Sequence, residues 1–435
     1  MSAVTATGGR AAGHPALAED AVRRRLAVRY RRERRFRRLA VGAVGFALAA
    51  LVVLLGDVVW KGWGAFLAAE LELEIAFDPA VLGVAGGADA EDLAYADYSQ
   101  LWKEALLARF PEAAAGRGAR RELYALVSDG AAYRLQRMVE EDPSLLGTTR
   151  RVELPADDEV GLLLEGRLGG EAAGRFSERQ HGWIERLRAA GVLGLGWNGF
   201  FLTSADSREP ELAGVLGAAV GSLYALLVTL LVCLPLGVAT AVYLEELAPR
   251  NRWTDLVEVN VNNLAAVPSI VFGLLGLAVF LGFFGMPRSA PLVGGLVLSL
   301  MTLPIVIIAS RVAIQTVPPS IRQAAYGLGA TRLQVIQHHV LPMAAPGILT
   351  GTILGLARAL GETAPLLMIG MVAFVADTPE GPLEPATALP VQIFLWADSP
   401  ERAFVENTSG AILVLLAVLF LINGTAVWLR RRAER

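Results

Sequence analysis

Two charged side chains lie inside an apolar stretch of this 435-residue chain, where they could bind an anion. Arg358 and Glu362 fall within residues 347–372, about 17 and 22 Å along a helix that begins at residue 347. They are four residues apart, so they share a helix face and can pair. Ionisable groups inside a membrane are costly and typically mark a substrate path. A guanidinium matches phosphate or carboxylate oxygens, so we predict an anion path; a structural pair that only orients helices is the alternative.

Other residues of the apolar stretches could shape the same path. Arg311 ends one such stretch and either lines the path or extends to the membrane interface. Pro365 lacks a backbone donor and predicts a bend just beyond Glu362. Pro268 and Gly273 predict a similar break in an earlier stretch, and broken helices line cavities in transporters.

A polar break at residues 318–346 interrupts the apolar second half of the chain, and it predicts two short helices joined at Gly329. Two prolines can open the first helix, since a missing donor costs least there. Gly329 can take the left-handed conformation of a C-cap. Thr331 and Gln334 form a capping box that starts the second helix, which Pro342 ends.

This hairpin has three interpretations. One is an ordinary cytoplasmic loop. A DNA-binding helix-turn-helix is excluded, because apolar spans on both sides would keep its second helix out of a major groove. The third is a docking element that transmits force from a partner protein to the spans.

Composition indicates a polytopic membrane protein, because 54% of the residues are hydrophobic and several apolar segments exceed 18 residues. Cys233 is the single cysteine, and the four histidines lack metal-site spacing, so we expect no metal site. Neither do we find a catalytic constellation.

Charge along the chain predicts its topology. Residues 1–38 carry eleven arginines against three acids, which favours a cytoplasmic N-terminus on anionic lipid over a nucleic-acid-binding arm. The first span is 39–60. Residues 61–212 then form a domain-sized acidic insert, with 26 acidic and 16 basic residues. We expect this insert to be a soluble periplasmic domain of α or α+β type, between the first and second transmembrane helices.

Five more spans are predicted within residues 213–429, before a short tail at 430–435. Their basic flanks place both termini and the loop 312–346 in the cytoplasm, with the chain in the cytoplasmic (inner) membrane. The fold class is therefore an all-α polytopic membrane protein with six transmembrane helices. The five spans are 213–244, 259–284, 291–311, 347–372 and 409–429.

The hairpin resembles the EAA–G–LP loop of ABC importer permeases. In that family an ATPase docks on this loop. The matching residues are Gln323, Ala324, Ala325, Gly329, Leu341 and Pro342, with Gln323 where the family has a glutamate. Residues 241–246, 266–273 and 357–365 extend the resemblance to the phosphate importer permease of the PstA type. The resemblance covers about residues 212–430, half of the chain. The 61–212 insert departs from the shorter family members and fits an extended-loop variant.

The resemblance implies a type I permease fold and a set of partners. These are a sister permease of PstC type, a PstB-type ATPase dimer that binds ATP and Mg²⁺, and a periplasmic phosphate-binding protein. It also implies that Arg358 and Arg311 take part in phosphate passage. Nucleic acid is not an expected partner.

The sequence has two lysines, and neither fits a Walker A loop, because Lys61 precedes Gly62 and Lys103 precedes Glu104. We therefore expect no enzyme activity and no bound cofactor in this chain, with ATP hydrolysed by a partner. The inferred mechanism is alternating access. The alternatives are another oxyanion as cargo, such as sulfate or molybdate, and an ion-coupled secondary transporter.

Overall fold

The computed structural model describes residues 15–84, 93, 95–166, 175–372 and 374–433. Residues 1–14 of the basic segment and 434–435 of the tail lie outside the described residues. The chain divides into two compact units, residues 1–58 and 59–435. The described part of the first unit is a single helix, α1 (Pro15–Gly62), whose last four residues belong to the second unit. This helix contains the predicted first span and the arginines from Arg23 to Arg38 that precede it.

A three-stranded antiparallel sheet organises the insert, and its first strand in the chain lies between the other two. Leu71, Leu73 and Ile75 are buried and alternate with glutamates on the other face of the central strand, the pattern of a half-buried strand. Leu71 pairs with Leu154 on one side and with Leu193 on the other. The strands are β1 (Leu67–Ala76), β2 (Thr149–Pro155) and β3 (Leu193–Trp197).

Helices pack against the buried face of this sheet and share one hydrophobic core with it. Trp102, Leu106, Leu123 and Leu135 are among the fully buried side chains of that core. The insert is therefore of the α+β type. Its helices are α2 (Pro79–Leu82), α3 (Ser99–Arg109), α4 (Arg117–Tyr124), α5 (Gly130–Glu141), α6 (Asp158–Leu164), α7 (Glu178–Ala189) and α8 (Gly199–Thr203).

The rest of the chain is helical. Three helices continue through π-helical turns, at Tyr243–Leu247, Leu277–Phe283 and Ile336–Val340. The helices are α9 (Leu216–Val242), α10 (Arg252–Leu264), α11 (Ser269–Gly276), α12 (Pro291–Gln315), α13 (Pro319–Gly327), α14 (Arg332–Val335), α15 (Leu341–Leu360), α16 (Ala364–Met368), α17 (Leu389–Ala397) and α18 (Ala403–Ala433).

Within the described residues, five helices are long and apolar enough to cross a membrane, or six if α10 and α11 count as one bent span. The predicted fold class, a polytopic helical protein with a soluble insert, is confirmed. The span predicted at 259–284 is broken, as expected from Pro268, because α10 and α11 meet at an angle of 101°. Pro268 caps α11 in an extended conformation and disfavours helix in the residue before it.

The span predicted at 347–372 is wrong at both ends. Residues Arg332–Leu360 form one membrane-length helical segment, which ends at Leu360. The chain then breaks at residues 361–363 before the short helix α16. The apolar composition of this region hid the break, since apolar residues suit both a helix and a buried turn.

Small residues let α12 pack closely against both α9 and α15. A Cβ on Gly295 would lie 2.6 Å from the carbonyl oxygen of Ala225. On the other side, Gly347 lies against Ala313 and Gly355 against Thr302. Helices in membranes approach in this way because lipid offers no hydrophobic drive for association. The two contacts also show that α12 and α15 run antiparallel.

The insert is fastened to one end of the membrane helices. The Trp396 indole nitrogen donates to Asp206 at 3.0 Å, and the Asn407 amide donates to the Pro210 carbonyl at 2.7 Å. Helix α9 begins beside this contact, and the hairpin of α13 and α14 packs against its far end. The insert and the hairpin therefore lie at opposite ends of α9.

The contact between the insert and the helices includes a carboxyl with an unusual pKa. Glu211 accepts a hydrogen bond from the Ser128 hydroxyl. Burial, with smaller contributions from Asp158 and Glu209, raises the pKa of Glu211 to about 7. The folded chain thus keeps this proton to a higher pH than the unfolded chain does.

This shift predicts that Glu211→Gln stabilises the chain at alkaline pH. The ordinary pKa of glutamate is 4.5, so the free energy of unfolding of the native chain should fall as pH rises from about 4.5 to 7, then level off. The neutral amide avoids that loss, and at pH 8 it should gain on the order of 1 kcal/mol. Thermal unfolding of detergent-purified protein at pH 5 and pH 8 measures the difference. An exposed matched change, Glu401→Gln, should show none; an equal gain in both variants would contradict the prediction.

Candidate functional site

Arg358 lies in the last turn of α15, and Glu362 follows in the break before α16. The Nε atom of Arg358 lies 3.5 Å from Oε1 of Glu362, so the structure contains the predicted pair. The prediction that both residues share one helix face is wrong, because α15 ends at Leu360. The Arg358 side chain is 55% exposed and that of Glu362 19%. A long, single ion pair leaves most of the guanidinium open to another anion.

The break beside Arg358 packs against the other discontinuous helix. A Cβ on Gly273 would lie 2.7 Å from Cα of Pro365 and 2.9 Å from Cβ of Met368. The prediction that Gly273 breaks a helix is therefore wrong; Gly273 lies inside α11 and allows α16 to approach. Pro268 does mark the break between α10 and α11.

Pro365 also differs from its predicted role. The bend was expected just beyond Glu362, at Pro365, but it lies before the proline, at residues 361–363. Pro365 occupies the first turn of α16, where its missing N–H would have no helical partner in any case.

Gly273→Val should separate α11 from α16, because the added side chain meets the backbone of Pro365. We expect a loss of about 1–3 kcal/mol in the free energy of unfolding. Thermal unfolding in detergent provides the measurement. Gly282→Val is the matched control, since Gly282 is exposed in the continuation of α11 and a Cβ there meets only the Leu277 oxygen at 3.5 Å. Equal destabilisation by the two variants would refute the role given to Gly273.

Arg311 lies near the end of α12 and is held by two carboxylates. Its Nε atom lies 2.6 Å from Glu245, and Nη2 lies 2.8 Å from Glu258. Gln315 also donates to Glu245, at 3.0 Å. The Arg311 side chain is only 13% exposed. Neither acid was predicted from the sequence, although Glu245 lies in the 241–246 stretch that carries the resemblance.

The structure does not bring Arg311 and Arg358 together. Gly347 faces Ala313, and Gly355 faces Thr302, so Arg311 lies near the hairpin end of the α12–α15 contact. Arg358 lies beyond the other end. Their levels along the helices differ by on the order of 14 Å. The two arginines could therefore serve successive positions of one path, but not one site.

The hairpin has the predicted caps. Helix α13 follows Pro318, and Gly329 has a φ of 84°, in the left-handed region. The Gln334 side chain accepts from the Thr331 N–H at 2.8 Å, and the Thr331 hydroxyl accepts from the Gln334 N–H at 3.4 Å. These local predictions are confirmed.

The prediction that Pro342 ends the second helix is wrong. The segment continues from α14 through the π-helical turn Ile336–Val340 into α15, so the hairpin's second arm is the start of a membrane helix. Pro342 is the second residue of α15 and follows directly on the π-helical turn.

The residues of the EAA-like pattern divide between surface and core. Ala325 is 5% exposed and packs in the cluster that joins the hairpin to the ends of α9 and α12. Leu341 packs against the same cluster. Gln323, Ala324, Gly329 and Pro342 are exposed.

Apolar side chains at the turn of the hairpin were not predicted. Leu328 is 91% exposed, and Leu333 and Tyr326 are 58% and 45% exposed. Exposed apolar side chains grouped at a turn typically mark a contact with another protein. The sequence did not predict that these side chains are exposed, because a short amphipathic helix has few residues on each face.

Within the described ranges, no group of three or more His, Cys, Asp or Glu side chains is arranged to hold a metal ion. Cys233 is buried in α9.

Comparison with known proteins identifies the membrane region. Residues 233–435 match the family model "Binding-protein-dependent transport system inner membrane component", and residues 23–173 match a domain of unknown function, DUF3333. The DUF3333 match falls on the N-terminal part of the chain, including most of the insert. The matches thus separate the insert from the transport domain.

Individual relatives narrow the family. A probable ABC transporter permease of Bacillus subtilis, YqgI, is 31% identical over 244 residues, which cover 53% of this chain and 82% of that protein. The phosphate transport system permease protein PstA 1 of Mycobacterium tuberculosis H37Rv is 34% identical over 253 residues, 56% of this chain and 80% of that protein. The phosphate transport system permease protein PstC of Pasteurella multocida is 30% identical over 249 residues, with coverages of 51% and 74%. Together with the helical membrane domain and its hairpin, these matches show that the chain belongs to the PstA-type inner-membrane permeases of binding-protein-dependent ABC transporters.

Proposed function

We propose that this chain is the A-type permease of an ATP-driven importer that moves inorganic phosphate across the cytoplasmic membrane by alternating access. The observation that carries the proposal is the exposed guanidinium of Arg358 at the break between α15 and α16. A permanent cation beside a discontinuous membrane helix suits a tetrahedral oxyanion. Relatives named as phosphate transport permeases favour phosphate over sulfate or molybdate.

The proposal assigns roles to partners. A PstC-type permease would complete the translocation path. A dimer of PstB-type ATPase subunits, which bind ATP and Mg²⁺, would dock at the hairpin. A periplasmic phosphate-binding protein would deliver cargo at the end of α9 where the insert lies. This arrangement requires the insert outside the cell and the hairpin and both termini in the cytoplasm.

The hairpin is suited to transmit force. Its second arm continues without interruption into α15, which ends at the break beside Arg358. A displacement of the hairpin by the closing ATPase dimer would therefore shift the helix that carries Arg358. In the cycle that we infer, ATP binding opens the path outward, and hydrolysis returns it to the inward-open state.

Reconstitution tests this function. The chain should co-purify from membranes with a second permease and an ATPase, and proteoliposomes of that complex with the binding protein should accumulate labelled phosphate. Excess unlabelled phosphate should compete, whereas sulfate and molybdate should not. Uptake should stop without ATP and persist when a protonophore dissipates the proton gradient. Competition by sulfate would change the cargo, and uptake driven by the proton gradient would favour a secondary transporter.

A further inference from the structure

Two consecutive acids at the end of α9 hold two arginines from two different elements. Glu245 pairs with Arg311 of α12, and Glu246 pairs with Arg322 of α13. The acids lie in the π-helical turn Tyr243–Leu247, and such turns frequently occur at functional sites. This turn therefore connects the first helix of the hairpin to the membrane helix that carries Arg311.

Arg322 fastens the hairpin at several points. Its Nε and Nη2 atoms lie 3.0 and 2.7 Å from Oε1 of Glu246, whose side chain is 10% exposed. Nη1 donates to the Val317 carbonyl at 2.6 Å and Nη2 to the Ile314 carbonyl at 3.0 Å. One planar guanidinium thus joins α13, the end of α12 and the turn after α9. A lysine ammonium lacks the fork geometry needed for all of these contacts.

Arg311 is closed to other anions in this arrangement. Two carboxylates hold it, one from the turn after α9 and one from α10, so the group of three carries a net negative charge. Glu258 is the more accessible partner, with a side chain 43% exposed against 17% for Glu245. The two carboxylates would repel an anion that arrives from the level of Arg358, and they already occupy the guanidinium of Arg311.

We propose that Arg311, Glu245 and Glu258 form an ion-pair gate that closes the hairpin end of the anion path, and that the Arg322–Glu246 pair couples this gate to the hairpin. The inference rests on the proposed function, because it assumes that an anion follows the path from Arg358. A shift of α13 carries Glu246 with it, and Glu245 moves as the adjacent residue. The cargo anion then replaces a carboxylate on Arg311 and leaves when the carboxylates return. Glu245, Glu258 and Arg322 are positioning residues in this scheme.

Glu258→Gln in the reconstituted complex tests the gate. With a non-hydrolysable ATP analogue holding the path outward-open, vesicles that contain the variant complex and labelled phosphate should lose the phosphate at least about fivefold faster than vesicles with wild type, because one charge of the closed gate is gone. The matched control is Asp255→Asn, which removes an exposed charge from the same helix without touching Arg311. Glu258→Asp keeps the charge on a shorter arm and should leak to an intermediate extent. Wild-type leak rates in both Glu258 variants would overturn the gate.

Arg322→Lys tests the coupling. The complex should assemble and hydrolyse ATP, but the phosphate moved per ATP should fall at least about fivefold, because the ammonium cannot hold all three elements. An unchanged ratio would overturn the link. These results are separable from failure of the proposed function. If the wild-type complex moves no phosphate, the proposed function fails. If the wild type transports phosphate but the Glu258 variants do not leak and Arg322→Lys keeps its phosphate-to-ATP ratio, only the gate is refuted.

Discussion

Replacement of Arg358 by glutamine is expected to reduce phosphate uptake by about 100-fold or more, because two or more charge-assisted hydrogen bonds to the anion are lost. The side chain is largely exposed beside the helix break, and its 3.5 Å pair with Glu362 is long, so the folded chain depends little on it. Assembly with the partners and ATP hydrolysis should therefore survive. Labelled-phosphate uptake and ATPase rates in proteoliposomes separate the two effects.

Two companion variants sharpen this test. Arg358→Lys keeps the charge but not the bidentate fork, so its uptake should fall between wild type and Arg358→Gln. Arg288→Gln removes an exposed arginine from the loop before α12 and should leave uptake unchanged. Wild-type uptake by Arg358→Gln would show that the pair with Glu362 only orients helices.

Substitution of Leu328 by glutamate is expected to prevent the ATPase from docking. Leu328 is 91% exposed at the turn of the hairpin, next to Gly329. A leucine in the core of an interface contributes through burial, on the order of 2 kcal/mol, and a buried unpaired carboxylate costs more. Recovery of the ATPase on pull-down of the tagged permease should fall at least tenfold, and ATP-dependent uptake should fall with it.

The controls for Leu328 separate charge from position. Leu328→Met keeps an apolar side chain at the tip and should retain the ATPase. Gln337→Glu adds the same charge to an exposed position further along the hairpin segment. If Gln337→Glu releases the ATPase as strongly as Leu328→Glu, general repulsion rather than the apolar tip explains the loss.

Local signals in the sequence predicted local structure well. The capping box of Thr331 and Gln334 and the left-handed Gly329 involve residues within one or two turns of each other, so neighbouring residue types suffice to specify them. The existence of the apolar spans was also predicted, since their length alone distinguishes them from other segments, although the ends of the 347–372 span were wrong. The α+β character of the insert stayed open because its strands pair across long separations, such as Leu71 with Leu154 and Leu193.

Breaks inside apolar stretches were harder to place. Proline and glycine mark positions where a helix can stop, but whether it does depends on the packing around them. Gly273 stays helical inside α11 with Pro365 packed against it, and Pro342 stays helical directly after the π-helical turn. Pro268 does interrupt its helix. The three cases look alike in the sequence.

The sequence by itself determined that the chain is a polytopic membrane protein with an arginine in an apolar stretch and a polar hairpin between two apolar spans. The tertiary structure decided which charges meet. Arg311 pairs with Glu245 and Glu258, which lie more than 50 residues earlier in the chain. Arg322 pairs with Glu246, which is also more than 50 residues earlier. Long-range ion pairs of this kind depend on how the helices pack, and no local spacing rule encodes that packing.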